Sequence, residues 1–364
     1  MAGAERMAAR SCGRPGEVVD CPRGKSARLA QIAPTSGSST VNITILDDYQ
    51  NVVPTLASFS KLAGHPVKVW NDHTKQVKTL ASRLRNTEAL VLIRERTPIP
   101  AALLQKLPKL KIISQNGPCP HIDIEACTRH GVIVCSGAGS RPSYGTAELT
   151  WGLMICALRR IPQEVAALKK GRWQSSIGTA LRGRTLGVYG YGRIGAVVAG
   201  YGQAFGMKVL AWGRETTLAR ARADNVAAAA SRQALFEQSD VLTLHLRLTG
   251  ETRGIVTAGD LARMKPTALF VNTSRAGLVE RGALERALRS GRPGLAAVDV
   301  YEEEPVLRAR HALLKLDNVV CTPHLGYVER DGYEILFGSA FDQVLAYLAG
   351  KPINVLNPEV LEKK

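Results

Sequence analysis

The chain lacks any long apolar run, which excludes a helical membrane span. Such a helix needs roughly 18 apolar residues in a row. The nearest candidate, Leu149 to Leu158, is flanked by Glu148, Arg159 and Arg160 and reads as a buried helix. Cysteine pairs are also missing. The seven cysteines, at positions 12, 21, 119, 127, 135, 156 and 321, show no C-x-x-C pair and no zinc spacing. That excludes a disulfide framework and a structural zinc, and it fits reduced thiols in a cytoplasmic compartment. There is no H-E-x-x-H and no carboxylate cluster, so no metal is expected. Internal repeats, a secretory h-region and a recognisable nucleic-acid module are absent too.

What remains is ordinary in bulk. The 364 residues are 45% hydrophobic and 22% charged, the balance of a soluble globular chain of about two domains. The net charge of +17 is spread along the sequence, so nucleic acid is not the expected partner. Anionic substrate and cofactor account for part of the excess. Residues 1–40 are rich in Arg, Gly, Ser and Pro and end in the polar linker Pro34 to Ser39. They read as a disordered extension, with Glu5, Glu17 and Asp20 arguing against a transit peptide.

The stretch Arg184 to Gly206 organises the rest. Thr185 to Tyr189 has the composition of a buried parallel strand. It runs into Gly190-Tyr191-Gly192-Arg193-Ile194-Gly195, after which Ile194 to Phe205 continues at helical spacing and Gly206 ends it. In a G-x-G-x-x-G fingerprint the first glycine makes the turn, the second admits a pyrophosphate, and the third lets helix and strand pack closely. The unpaired N–H groups and positive dipole end of the new helix face the phosphates. Alone the motif is weak; between a strand and a helix, with another strand at Met207 to Trp212, it predicts a dinucleotide site.

Apolar runs at Val41–Leu46, Ala89–Ile93, Leu110–Ser114 and Val132–Cys135 predict a first parallel unit. Runs at Val241–Leu244, Ala268–Asn272, Gly294–Val300 and Asn318–Cys321 extend the second. A helix over Thr146–Lys170, interrupted at Pro162, joins the two, and a helix over Gly332–Ala349 returns to cover the first. The expected architecture is α/β: two Rossmann-like domains, one flavodoxin-like and one doubly wound and NAD(P)-binding, with a cleft between them. Residues 41–145 with 322–364 form the substrate domain, which is therefore discontinuous, and residues 146–321 bind the dinucleotide.

Three polar residues fall at strand ends, where open α/β sheets bind ligands. Arg275 follows LFVNTS, Glu304 closes VDVYEEEP, and His324 sits in CTPHLG. Each alone is ordinary. Together, after a dinucleotide fingerprint, they suit hydride transfer at the carbon of a 2-hydroxy or 2-keto acid. A guanidinium binds the carboxylate, an imidazole moves the proton, and a carboxylate orients the imidazole.

These residues lie in segments that resemble the D-isomer-specific 2-hydroxyacid dehydrogenase family, from about Ile43 to Pro358. The motifs are GVYGYGRIG, SDVLTLHLRLTGETRGIV, MKPTALFVNTSRAG, AVDVYEEEP, NVVCTPHLG and PINVLNP. The resemblance implies that Arg275 holds the substrate, that His324 is the acid/base paired with Glu304, and that Asp299 lies near the nicotinamide. It implies that Gly190, Gly192, Arg193, Ile194, Gly195, His245, Thr273, Ser274 and Gly326 line the cofactor cleft. It also implies that Arg94, in LIRERT, reaches the substrate together with the loop at Asn116 and Gly117, and that the protein is a homodimer.

Two departures stand out. Family members that use NAD carry an Asp after the second strand, where this chain has Gly213 followed by Arg214, with Glu215 and Arg247 near in sequence. A missing carboxylate and an added guanidinium shift the expected cofactor from NAD toward NADP. In the loop Gln115 to His121, Pro118 and Pro120 remove two backbone donors that the family offers to the substrate. The expected protein is a cytoplasmic 2-keto acid reductase whose partner is a small 2-keto or 2-hydroxy acid. The alternatives are a relative acting on glyoxylate, hydroxypyruvate or 3-phosphoglycerate, or a dinucleotide-sensing corepressor of the same fold. A chain with a C-terminal regulatory domain would favour phosphoglycerate, and this one stops at Lys364.

Overall fold

Strands of three to five residues with buried side chains cannot stand alone, and here they assemble into two parallel sheets. The computed structural model describes residues 40–137 and 144–363; the extension expected over residues 1–40 lies, but for Thr40, outside the described residues. In the first sheet are β1 (Ile43–Ile45), β2 (Val67–Val69), β3 (Ala89–Val91), β4 (Ile112–Asn116) and β5 (Ile133–Gly137), in the order β2-β1-β3-β4-β5. The second holds β6 (Thr185–Tyr189), β7 (Lys208–Trp212), β8 (Ala227–Ala228), β9 (Val241–Leu244), β10 (Leu269–Asn272), β11 (Leu295–Val298) and β12 (Val319–Cys321). Its order is β12-β11-β10-β9-β6-β7-β8. All neighbouring strands are parallel. Strand order reverses between β1 and β3 and between β6 and β9, and such switch points open crevices at the carboxyl ends of the strands.

Helices cover both faces of each sheet, which is why the strands read as apolar runs rather than as alternation. Tyr144–Leu158 and Arg193–Ala204 share one core with the second sheet, while Arg232–Gln238, Ala258–Ala262 and Ala283–Arg289 line its other face. Against the first sheet, Val77–Leu84, Ala101–Leu104 and Ile124–Arg129 take one face. The opposite face receives the late helix Arg330–Leu348 through Tyr333, Phe337, Phe341 and Val344, a stripe at helical spacing. No described helix is long and apolar enough to cross a membrane.

One boundary moves, and one strand carries no mark in the sequence. The helical stretch expected over Thr146–Lys170 with a break at Pro162 is two helices, Tyr144–Leu158 and Ile161–Lys169. The break falls at Arg160, which turns left-handed with φ +52°, and Pro162 sits in the first turn of the new helix, where its missing N–H costs nothing. β2 carries no apolar run, because it is an edge strand whose central Lys68 is exposed.

Candidate active site

The fingerprint glycines each have a spatial reason. Gly190 has φ +99°, and a Cβ there would lie 2.6 Å from the carbonyl oxygen of His245. A Cβ on Gly195 would collide with the carbonyl oxygen of Gly190. Gly192 instead faces open space and caps the helix Arg193–Ala204 without a side-chain hydrogen bond, so the first-turn N–H groups stay available. Arg193 is exposed beside them and Ile194 half-buried. A pyrophosphate fits this cradle, which lies at the β6/β9 switch point.

At the carboxyl end of β7, a Cβ on Gly213 would lie 2.8 Å from Thr217 Oγ1. Glu215 is committed to Arg222, 2.6 Å away on the same helix. Arg214 and Arg247 are exposed and have no carboxylate partner among the described residues. Thr273 Oγ1 lies 2.7 Å from Thr150 Oγ1, and Ser274 Oγ donates to the carbonyl of Leu244 at 3.0 Å. His245 Nε2 lies 3.1 Å from Thr243 Oγ1, while its Nδ1 is buried without a partner. Burial depresses this imidazole to about 3, so it stays neutral.

The histidine–carboxylate pair forms. His324 Nδ1 lies 2.6 Å from Glu304 Oε2. Glu304 Oε1 accepts from the N–H of Tyr301 at 3.0 Å. Burial raises the Glu304 carboxyl, but the hydrogen bond and charge of His324, the Arg96 guanidinium and the Tyr301 N–H outweigh it and hold it at about 2. His324 has φ +56°, a left-handed conformation rare for a residue with a Cβ. Asp299 explains how it is held. Fully buried, it accepts from Thr322 Oγ1 at 2.6 Å, Leu325 N at 2.7 Å and Gly326 N at 2.9 Å. The carbonyl of Gly326 accepts from Thr146 Oγ1 at 2.6 Å. The turn that presents His324 is thus clamped on both sides.

Arg275 follows β10 and donates to the carbonyl of Ser274 at 2.8 Å, with Glu95 Oε1 3.6 Å from its other terminal nitrogen. Arg94 has φ +52°, stacks its guanidinium over Tyr327 at 5.2 Å, and buries an unpartnered Nε. Burial, with the charges of Arg275 and Arg96, lowers its affinity for the proton, against the opposing charges of Glu95 and Tyr327. Tyr327 packs edge-on against His324 at 5.5 Å, so one ring links the arginine to the imidazole.

The expected substrate loop turns its polar groups elsewhere. Asn116 donates through Nδ2 to the carbonyl of Leu336 at 2.5 Å and accepts from Ser339 Oγ at 3.2 Å, both on the helix Arg330–Leu348. The N–H of Gly117 donates to the carbonyl of Gly137 at 3.1 Å. Neither the Asn116 side chain nor the Gly117 N–H is therefore presented to a ligand, because the β4–β5 ladder and the covering helix consume them. Sequence reasoning also missed Arg96, Glu95, Tyr327 and Lys75. The first two lie in the same LIRERT segment as Arg94, and nothing local marks what they touch.

An imidazole whose second nitrogen rests on an ionised carboxylate is fitted to move a proton. A guanidinium with only a loose partner is fitted to receive an organic acid. Beside a pyrophosphate cradle, these are the requirements of a nicotinamide-dependent hydroxyacid dehydrogenase. Residues 151–326 match the family described as D-isomer specific 2-hydroxyacid dehydrogenase, NAD binding domain. A glyoxylate reductase of Aeropyrum pernix is 36% identical over 311 residues, 82% of this chain and 91% of that one. A D-3-phosphoglycerate dehydrogenase of Methanocaldococcus jannaschii is 37% identical over 290 residues, 78% of this chain but 55% of the relative. The chain thus spans about half the length of that phosphoglycerate dehydrogenase. Among solved structures, an oxidoreductase from Ralstonia solanacearum shares 55% identity with a TM-score of 0.85, covering 88% of this chain and 98% of its own. A phosphoglycerate oxidoreductase from Vibrio cholerae shares 48% with a TM-score of 0.82, covering 85% and 100%. The chain belongs to the D-isomer-specific 2-hydroxyacid dehydrogenase family. It is an oxidoreductase acting on the CH–OH group of 2-hydroxy acids with a nicotinamide dinucleotide.

Proposed function

We propose that the protein reduces a small 2-keto acid to its D-2-hydroxy acid with NADPH, on Arg275, His324 and Glu304. The nicotinamide, when bound, supplies the hydride. Arg275 seats the substrate carboxylate and polarises the carbonyl, with Arg94 as the second guanidinium. His324 donates its Nε2 proton to the carbonyl oxygen, and Glu304 keeps Nδ1 protonated and the ring oriented. The observation that carries this reading is the 2.6 Å contact between His324 Nδ1 and a carboxylate that is ionised at any working pH. The dinucleotide lobe is residues 146–321, and residues 41–145 with 322–364 make the substrate lobe. Packing of the helix Arg330–Leu348 on the first sheet supports that division. Relatives named for glyoxylate and for phosphoglycerate both match, which supports a small 2-keto or 2-hydroxy acid as the substrate class.

The preference for NADPH rests on Arg214 and Arg247, which carry no carboxylate, and on Glu215, which is spent on Arg222. A 2-keto acid panel assayed with NADH and NADPH in parallel tests both parts. Inertness with every acid and both cofactors would end the reading. A hydrogen bond to a charged group is worth about 1.5–3 kcal/mol, so Arg214→Ala should raise KM for NADPH by about 10- to 100-fold. KM for NADH should change by less than about twofold, because only the 2′-phosphate meets this guanidinium. A wild type that prefers NADH would overturn the cofactor assignment.

The protein acts as a homodimer in the cytoplasm. The segment from Ile161 to Ile177 exposes Val165, Leu168, Trp173 at 76% and Ile177 at 96%, an apolar patch that a monomer would leave in water. Five cysteines among the described residues are free thiols, as a reducing compartment requires. Trp173→Asp combined with Ile177→Asp should convert a dimer to a monomer by light scattering with an unchanged far-UV spectrum. A wild type already monomeric at micromolar concentration would refute the dimer.

A further inference from the structure

Arg96 has no part in the scheme above, yet it is among the most buried cations of the described residues, 7% exposed. It stands just past β3, on the first sheet. Its Nη1 donates to Oε2 of Glu304, which lies past β11 on the second sheet. That oxygen is the one shared with His324 Nδ1. Nη2 donates to the hydroxyl of Tyr327 at 3.2 Å. A second cation from the first sheet, Lys75 beyond β2, donates to the main-chain carbonyl of Glu304 at 2.9 Å. Within its own loop Glu304 has only the Tyr301 N–H, on Oε1.

We infer that Arg96 is a positioning residue: reaching across from the first sheet, it fixes the carboxylate oxygen that orients His324, so the acid–base pair is complete only while the two sheets are held together. This rests on the assignment of His324 made above. A carboxylate held at Oε1 by one N–H can still swing about its last bond, and a guanidinium on Oε2 removes that freedom. Arg96 is not free to take a substrate anion, since both terminal nitrogens are engaged. Arg94, two residues earlier, is the contrast: no hydrogen bond or ion pair occupies its guanidinium among the described residues.

The charged and titratable groups that touch or act on the pair are Arg96 and Lys75 on the first sheet's loops, Asp299 and Tyr301 on the second's, and Tyr327, which follows β12 and packs on the first sheet's core. Of the cations, only Arg96 contacts a Glu304 carboxylate oxygen among the described residues. Two readouts on the full chain test the role. In Arg96→Gln, kcat with the best 2-keto acid should fall by about 10- to 100-fold, with KM for acid and cofactor within about twofold, and Arg96→Lys should recover part of kcat. Without substrate, the His324 signal of protein labelled at the histidine Cε1, identified by its loss in His324→Asn, should shift and broaden in Arg96→Gln relative to wild type, because the carboxylate oxygen that orients the ring is no longer fixed. An unmoved His324 signal overturns the inference, as does a raised KM with intact kcat, which would make Arg96 a substrate contact. Because that spectrum needs no turnover, an inactive wild type would refute the proposed reaction and leave this result to be judged by itself.

Discussion

Replacing His324 with asparagine should cut kcat by about 10²- to 10⁴-fold, the range that positioned proton transfer contributes. Cofactor affinity should stay within about twofold, since the cradle at Gly190, Gly192 and Gly195 is built by another loop. The substitution is chosen so that the result reports proton transfer. Asparagine keeps an N–H donor within reach of Glu304 Oε2, so no buried carboxylate is stranded, and Asp299 still clamps the turn through Leu325 and Gly326. An apolar residue would mix a lost proton donor with an unpaired charge. The pH profile separates the members of the pair. With its carboxyl held at about 2, Glu304 remains ionised across any practical assay range. Keto-acid reduction should therefore show no pH dependence from Glu304 across that range. Steady-state kinetics and fluorescence titration with NADPH measure both. Undiminished turnover would remove His324 from the chemistry.

Much of this was legible in the amino-acid order, for identifiable reasons. A parallel sheet covered on both faces demands uninterrupted apolar strands, so β1, β3, β4, β5, β6, β9 and β10 announce themselves as runs. Ligands gather at strand ends, so Arg275, Glu304 and His324 stand out by position alone. What hid was governed by contacts between distant parts of the chain. The edge strand β2 needs no apolar face, and the alanine-rich stretch that makes Glu215–Ala223, β8 and Arg232–Gln238 has no clear period. Asn116 looks like a ligand group until the helix Arg330–Leu348, more than 200 residues on, takes its amide. Glu215 looks able to reach a ribose until Arg222, two helical turns along, captures it. Arg96 and Glu304 lie 208 residues apart, and no local pattern pairs them.

Arg275→Ala should lose the most in kcat/KM. Truncating one side of a hydrogen-bonded charge pair costs about 2–5 kcal/mol, which is about 30- to several-thousand-fold. Glu95 decides where in that range the result falls. In the protein as it stands, Glu95 lies 3.6 Å from Arg275, with side chains 25% and 35% exposed respectively. Such a loose, wet pair contributes little to stability, so an arriving carboxylate can displace Glu95 easily. Take Arg275 away and Glu95 keeps its negative charge with no guanidinium between it and the substrate, so the variant loses an anchor and gains a repulsion. The loss should fall toward the upper end, and the double variant Arg275→Ala with Glu95→Gln should be several-fold better than Arg275→Ala alone. The same Glu95→Gln change in the wild type should leave kcat almost untouched. That difference is a coupling free energy between the two side chains, of the size expected for residues in contact. Arg275→Lys should fall between, keeping the charge but losing the fork that meets both carboxylate oxygens. If Arg275→Ala retains kcat/KM, the substrate is anchored elsewhere, and Arg94 is the residue to remove next.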